Sequence, residues 1–323
     1  MKLLSKLYQP IRFYSRVMIA LASFMTSAAF GVISSVVCSI VGRKGMSQWT
    51  VARFFYTLGS KLLGNNVTVR KRTLVRELAT DVDDCEPQVR YVDKITVESA
   101  NFDPITQIPH PAVVISNHQN EMDIWILGRI MPQNCSITAK SSLKLVPILG
   151  LFMSLSGTVF LDRANRNKSL RVLNGAVDAI KNGIGYRNKR EKVGHTVFMY
   201  PEGTRSYACN LELLPFKKGA FHLAIQAQVP IVPIVIANTS RAFNGKQRLM
   251  CKANVIAEVL DPIETTGLTA EDVNELVLKT YERMSAVYRD IGYAEVLDNT
   301  STDIKDASAD ERAVLLNGQM LIN

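Results

Sequence analysis

Two short words in this chain combine residue types that do chemistry: Asn117-His118-Gln119-Asn120-Glu121-Met122-Asp123 and Pro201-Glu202-Gly203-Thr204-Arg205-Ser206. The first holds an imidazole and, five positions on, a carboxylate. If Asp123 accepts from one ring nitrogen of His118, the ring is fixed in the tautomer whose other nitrogen can take a proton from an alcohol. That is general-base chemistry, typically worth on the order of 10²–10⁴ in rate. The second word puts a guanidinium on a turn, and its planar fork matches two oxygens of a phosphate. A hydroxyl acceptor carrying a phosphate needs both words. Each alone is weaker: a histidine with an aspartate five residues later arises by chance, and an arginine on a turn is commonly solvated.

The surrounding residues predict how the words are positioned. Pro111-Ala112-Val113-Val114-Ile115-Ser116 is an apolar, β-branched run opened by proline and reads as a buried strand, with His118 just past its end. Glu121 to Ile130 carries Met122, Trp125, Ile126 and Ile130 at helical spacing. On one continuous helix, residues five apart point about 140° away from each other, so His118 must lie in the loop and Asp123 in the helix for the two to meet. Thr196 to Tyr200 is a second apolar run, closed by Pro201 and Gly203, which places Arg205 on a loop at another strand end. Gly157 to Leu161 is a third, ending in Asp162-Arg163. Ligands of open α/β sheets bind at the carboxyl ends of strands, where these groups are expected to gather.

With these residues set out, the chain resembles the glycerolipid acyltransferases, most closely the fungal and other eukaryotic 1-acyl-sn-glycerol-3-phosphate acyltransferases. The resemblance covers roughly residues 112–240 and rests on four blocks in order: Asn-His-x4-Asp at 117–123, Gly157 to Arg163, Glu202-Gly203-Thr204-Arg205-Ser206, and Val229-Pro230-Ile231-Val232-Pro233-Ile234. It implies an α/β fold with a single mixed central sheet flanked by helices, preceded by an N-terminal hydrophobic membrane-anchoring segment. It implies His118 as the base that deprotonates the sn-2 hydroxyl of lysophosphatidic acid, Asp123 as its orienting partner, and acyl-CoA as co-substrate, with no cofactor. Arg163 and Arg205, with Lys140 adding charge, would hold the acceptor's phosphate. Asn117, Glu202, Gly203 and Thr204 would shape that pocket, and Val229, Pro230, Ile231 and Pro233 would line the acyl-chain side.

One departure concerns Asn120, Glu121 and Met122, which stand where the family commonly has a small residue followed by an aromatic or leucine. Glu121 sets an extra carboxylate near the base, which would raise the histidine pKa, and Trp125 is a candidate for the missing aromatic or else a core residue. The acceptor is therefore open between lysophosphatidic acid, glycerol-3-phosphate and another lysophospholipid. A CoA-independent transacylase and a non-catalytic lipid-binding protein are the alternative readings. A hydrolase would also use a base, but the lack of a Gly-x-Ser-x-Gly nucleophile elbow argues against one.

Composition adds bounds. The formal charge of +9 and a pI near 9.3 come with no aromatic-basic nucleic-acid motif. They fit partnership with anionic membrane lipids, which attract cations near their surface. Val17 to Gly42 is a run of 26 residues without a charge, longer than the ~20 needed to span a bilayer. Basic residues flank both ends, so a helical pair broken near Gly31, with both flanks cytosolic, is expected alongside the simple spanning helix. Trp49 to Leu63 reads as an amphipathic helix, at the interface or on the core. Five scattered cysteines indicate neither a disulfide framework nor a metal site and fit a reducing compartment; the endoplasmic reticulum membrane with a cytosol-facing site is the expected location.

The expected organisation is an anchor and interfacial helix over 1–64, the acyltransferase domain over 65–295, and a polar tail over 296–323. Within the domain, Val67 to Val69 and Tyr91 to Val97 alternate as strands do. Arg70-Lys71-Arg72, Asp81 to Asp84 and Arg187 to Lys192 read as solvated charge clusters, and Lys217-Lys218 is taken likewise.

Overall fold

The computed structural model describes residues 2–79, 88–162, 166–183 and 194–298. The chain opens with α1 (Lys2–Ile40) and α2 (Ser47–Leu63), followed by β1 (Asn66–Ala79) and β2 (Gln88–Val97). Then come β3 (Val113–Ser116), α3 (Met122–Ile130), β4 (Cys135–Lys140), α4 (Leu149–Leu155), β5 (Val159–Leu161), α5 (Arg166–Asn182), β6 (Thr196–Met199) and α6 (Gly219–Ala227). The chain continues through β7 (Ile231–Ile236), the short hairpin β8 (Phe243–Asn244) and β9 (Leu249–Met250), β10 (Ala253–Leu260), α7 (Val273–Ile291) and β11 (Glu295–Val296). Among the described residues the main sheet has nine strands in the order β2-β1-β10-β7-β3-β6-β4-β5, with β11 alongside β10. The strands β7, β3, β6, β4 and β5 run parallel, while β10 is antiparallel to β7. The expected mixed sheet with flanking helices is what forms.

The parallel centre is apolar because it is covered twice. Every residue of β3, β6 and β7 is buried, as strands sandwiched between helix layers require. Alternate side chains divide between two cores. Val114, Phe198, Val232 and Ile234 face Trp125, Ile126 and Ile130 of α3. Val113, Ile115, Val197 and Val235 face Leu173 of α5, Phe221 and Leu223 of α6, and Met284 of α7. Trp125 is core: its ring stacks on Tyr56 of α2, centroids 5.3 Å apart. The layers come close because Gly128 has no side chain; a Cβ there would lie 2.3 Å from the Ala52 carbonyl oxygen of α2. Pro233, which has no N–H to give, falls between the end of pairing with β10 at Ile234–Val259 and the lone bridge Ile231–Ile263.

Two expectations are corrected. The N-terminal run does not break at Gly31: α1 is continuous to Ile40, and the turn comes at residues 41–46, where Gly42 takes φ +73°. Gly31 instead admits the ring of Phe152 from α4, which would sit 2.6 Å from a Cβ at that position. Nor is the 70–72 cluster wholly solvated. Arg72 is 5% exposed and donates to Glu258 Oε2 (2.6 Å), to Asp93 Oδ2 (3.0 Å) and to Asp290, tying β1 to β10, β2 and α7. A buried guanidinium persists only with such pairing. The segments 81–84 and 187–192 lie outside the described residues, as does the tail beyond 298; Asp298 itself pairs with Arg12 and accepts from Lys252 N at 2.6 Å.

Two histidines sit at the amino ends of the parallel strands, His195 buried and His110 at the surface. His195 Nε2 lies 2.8 Å from Ser136 Oγ, and His110 Nδ1 lies 2.8 Å from Thr196 Oγ1. Burial, with His110 nearby, pushes the His195 imidazole down to about 4, and partial desolvation of its ring lowers His110. A depressed folded pKa supplies stability that is complete above the unfolded value near 6.5 and is lost as pH falls toward the folded one. We expect His195 to cost about 3 kcal/mol of stability between pH 6.5 and 4. Melting curves of the wild type and His195→Gln across that range check this: the variant's acid-side decline should be shallower, and parallel declines would show that His195 does not titrate against the fold.

Candidate active site

The site is assembled at the carboxyl ends of β3, β6 and β7. Past β3, Asn117 acts as an extra rung: its Nδ2 donates to the Ile236 carbonyl (3.0 Å) and its Oδ1 accepts from Ile236 N (2.8 Å), joining the loop to the end of β7. His118 follows in the loop and Asp123 sits in the first turn of α3. Asp123 Oδ2 accepts from His118 Nδ1 (2.7 Å), Gln119 N (2.5 Å) and Asn120 N (3.2 Å). A carboxylate offers only acceptors, so Nδ1 carries the hydrogen and Nε2 has a free lone pair. The imidazole also stacks flat on Tyr200, centroids 4.1 Å apart and planes 15° apart, and Phe198 meets Tyr200 edge-on at 5.3 Å. Two contacts at right angles thus fix both the edge and the plane of the ring.

The second word is bonded directly to the first. Glu202, 2% exposed, accepts from His118 N through Oε1 (2.7 Å) and from Leu214 N through Oε2 (3.1 Å). Ser206 N donates to the His118 carbonyl (2.9 Å) and Tyr207 N to the Gln119 carbonyl (3.0 Å). Burial pushes the Glu202 carboxyl up to about 7, with the two N–H donors opposing the rise and Asp123 adding to it. Gly203 turns the chain at φ +68°, and a Cβ there would lie 2.8 Å from Lys217 Nζ, so this lysine lies across the turn rather than away from the site. Arg205 Nη1 donates to Glu121 Oε1 (2.9 Å) and to the Tyr207 hydroxyl (3.3 Å). Glu121 is therefore engaged by the guanidinium. A pocket of about 440 Å³ opens beside these loops, lined by Gln119, Asn120, Glu121, Tyr207, Phe243 and Lys246 among others.

A family model described as Acyltransferase matches residues 94–237. The 1-acyl-sn-glycerol-3-phosphate acyltransferase of Saccharomyces cerevisiae is 35% identical over 290 residues, covering 90% of this chain and 82% of the yeast protein. The chain belongs to the glycerolipid acyltransferase family. The human 1-acyl-sn-glycerol-3-phosphate acyltransferase beta is 39% identical over 56% of this chain and 61% of its own. Among solved structures, the 1-acyl-sn-glycerophosphate acyltransferase PlsC of Thermotoga maritima shares the fold, with a TM-score of 0.57, 20% identity, and coverage of 90% of this chain and 98% of that one.

In this acyltransferase the structure brings together Asn117, His118, Asp123, Glu202, Gly203 and Arg205. Thr204 is exposed on the same turn, and Lys140, exposed at the end of β4, shares the same edge of the sheet. Arg163 lies outside the described residues. Val229, Pro230 and Ile231 do not join the group: Val113 N donates to the Pro230 carbonyl, which sets them at the opposite, amino end of β7. Val229 and Ile231 are packed in the core against α5, α6 and α7, and Pro233 is buried within the strand.

Sequence reasoning missed five contributors. Tyr200 forms the platform under the base, and its place between a strand and Pro201 was the available signal. Gln119 accepts from Thr239 N (2.7 Å) and donates to Asn238 Oδ1 (2.7 Å), and Asn120 donates to Thr239 Oγ1 (2.8 Å) while capping α3 through Met122 N (2.9 Å). Asn238 and Thr239 follow β7, a third strand end. Gln119 and Asn120 thus brace the loop, and Met122 is simply core.

The clasp on the His118 amide predicts a specific loss. In Glu202→Gln one amide oxygen can serve only one of the two N–H donors, and the NH₂ faces the other. We expect about a 10- to 100-fold fall in kcat, a melting temperature lowered by a few degrees because a buried N–H is left unpaired, and loss of the contribution that protonation of Glu202 near pH 7 makes to the acid limb of the rate profile. A variant with wild-type kcat and an unaltered acid limb would show that the clasp is dispensable.

Proposed function

We propose that this acyltransferase transfers a fatty acyl group from acyl-CoA to the sn-2 hydroxyl of lysophosphatidic acid, giving phosphatidic acid. The observation that carries the reading is the His118 ring: Asp123 occupies Nδ1, Tyr200 backs its face, and Nε2 is left as the acceptor at a strand-end site that also holds a guanidinium. The yeast and human relatives, both named 1-acyl-sn-glycerol-3-phosphate acyltransferases, support lysophosphatidic acid as the acceptor.

In this mechanism Nε2 takes the proton of the acceptor hydroxyl as its oxygen attacks the thioester carbonyl. Collapse of the tetrahedral intermediate forms the ester C–O bond and breaks the C–S bond; the imidazolium returns its proton to the departing thiolate as free CoA thiol. His118 is the catalytic residue and Asp123 and Tyr200 position it. The growing imidazolium charge lies between the Asp123 carboxylate and the negative face of the Tyr200 ring, which stabilises it more than the neutral ring. Arg205 and Arg163 hold the acceptor's phosphate, and Lys140 adds charge from the end of β4.

The acceptor is a lipid, and α1 gives the protein a way to meet it. Residues 9–40 form a helix long and apolar enough to cross a bilayer, and its outer side exposes Ile11, Met18, Ile33 and Ile40. Its other side, including Ser27, Ala28, Ser34 and Ser35, is buried against the rest of the protein. A helix with one buried side is suited to lying half-embedded, as part of an anchor with α2. We place it in the endoplasmic reticulum membrane with the site on the cytosolic side, where acyl-CoA is available and the free thiols Cys38, Cys135, Cys209 and Cys251 stay reduced.

The test is CoA-thiol release from oleoyl-CoA by detergent-purified protein with lysophosphatidic acid, glycerol-3-phosphate and lysophosphatidylcholine compared. We expect release with lysophosphatidic acid, a loss of at least 10³-fold in His118→Ala, and a rise of about tenfold in acceptor KM in Arg205→Lys, where a point charge replaces the fork. Release that survives His118→Ala removes the base assignment. Release that requires another acceptor keeps the mechanism and changes the substrate.

A further inference from the structure

Arg205, which the proposed function assigns to the acceptor's phosphate, already holds an anion supplied by the protein. Its Nη1 lies 2.9 Å from Glu121 Oε1, and the Tyr207 hydroxyl donates to that same oxygen at 2.8 Å. One carboxylate oxygen therefore takes both a guanidinium and a phenol donor, the pairing that a phosphate oxygen would satisfy. The arrangement is built rather than incidental at the Arg205 end. Tyr207 is fixed through its N–H to the Gln119 carbonyl, and Ser206 N to the His118 carbonyl, so the donors are aimed from a backbone tied to the base. The Glu121 end is loose: its side chain is 46% exposed, at the N-cap of α3, with no side-chain cap hydrogen bond.

We propose that Glu121 is an internal stand-in for the acceptor's phosphate, holding Arg205 and Tyr207 in place while the site is empty and giving way when the acceptor binds. An ion pair this exposed is weak and screened, so a phosphomonoester, carrying close to two charges and several acceptor oxygens, displaces it. A phosphodiester headgroup brings a single charge and competes poorly. Glu121 thus lowers the apparent affinity of any headgroup that must displace it by one common factor, the fraction of time Arg205 is free. The displaced carboxylate has room to move: Glu121 lines the pocket of about 440 Å³, which Lys246 lines as well.

The inference rests on the acceptor's phosphate being held at Arg205, and the test separates the two. In Glu121→Gln the anion is removed while the side chain's size is kept. The acceptor KM for lysophosphatidic acid is expected to fall three- to tenfold, the change appearing in KM rather than kcat. Inhibition by inorganic phosphate should strengthen by a similar factor, because both anions displace the same carboxylate. An unchanged or raised KM, with phosphate inhibition unaltered, overturns the role of Glu121. Arg205→Gln is the control for the underlying reading: if its acceptor KM equals that of the wild type, the phosphate is held elsewhere, and the reading of the site fails rather than that of Glu121 alone.

Discussion

The site depends on one carboxylate at the start of α3. Asp123 is 1% exposed, and a charge so far from water is tolerated only where donors replace its hydration. Its Oδ2 draws three of them from consecutive residues: the His118 ring and the amides of Gln119 and Asn120. Satisfying Asp123 therefore folds the loop over the helix end and places the imidazole in the same step. The folded loop then offers its outward groups, the His118 amide and the His118 and Gln119 carbonyls, to the Glu202–Tyr207 segment. The second word is in place because the first is.

The sheet explains why these partners are within reach at all. The strands β3, β6 and β7 are adjacent and parallel, so the loops that follow them emerge side by side although the sequence separates them widely. Burial on both faces fixes the register, since a one-residue slip would exchange the two cores. Asn117 extends this lock beyond the strand end by pairing with both backbone groups of Ile236. A rigid frame thus reaches within one residue of the base.

What was legible in the sequence follows the same division. The strands before His118 and Pro201 are β-branched runs bounded by proline or glycine, a local signal, and the loop-plus-helix geometry of His118 and Asp123 follows from helix periodicity. Glu202 was named but its task was not, because nothing local tells a buried carboxylate which amide eighty-four residues away it will accept from. Tyr200 was hidden likewise, since an aromatic at a strand end looks the same whether it stacks on a base or on the core. Gly31 and Arg72 misled for a related reason. A glycine in a helix marks a break or a close neighbour, and a run of cations marks solvent or a buried network; the partner, Phe152 in one case and Glu258 in the other, decides. The Val229 to Pro233 block is a recognisable motif whose side chains serve the core, which shows that a motif's presence and its distance from the chemistry are separate facts.

The same framework bears on how two unlike substrates could reach one base. The pocket beside the loops is walled by Phe243, Asn244, Gly245 and Lys246, which belong to the β8–β9 hairpin and its turn. That hairpin leans on α1: Phe243 lies 6.4 Å from Phe13, and the Arg248 guanidinium lies 5.9 Å from the Tyr14 ring centroid. One thin hairpin therefore separates the pocket from the helix whose outer side is apolar. On the proposed function, a lipid acceptor held at α1 has only this hairpin between it and the pocket beside Arg205. Acyl-CoA, being soluble, can approach the base along the exposed strand-end edge where Lys140 stands.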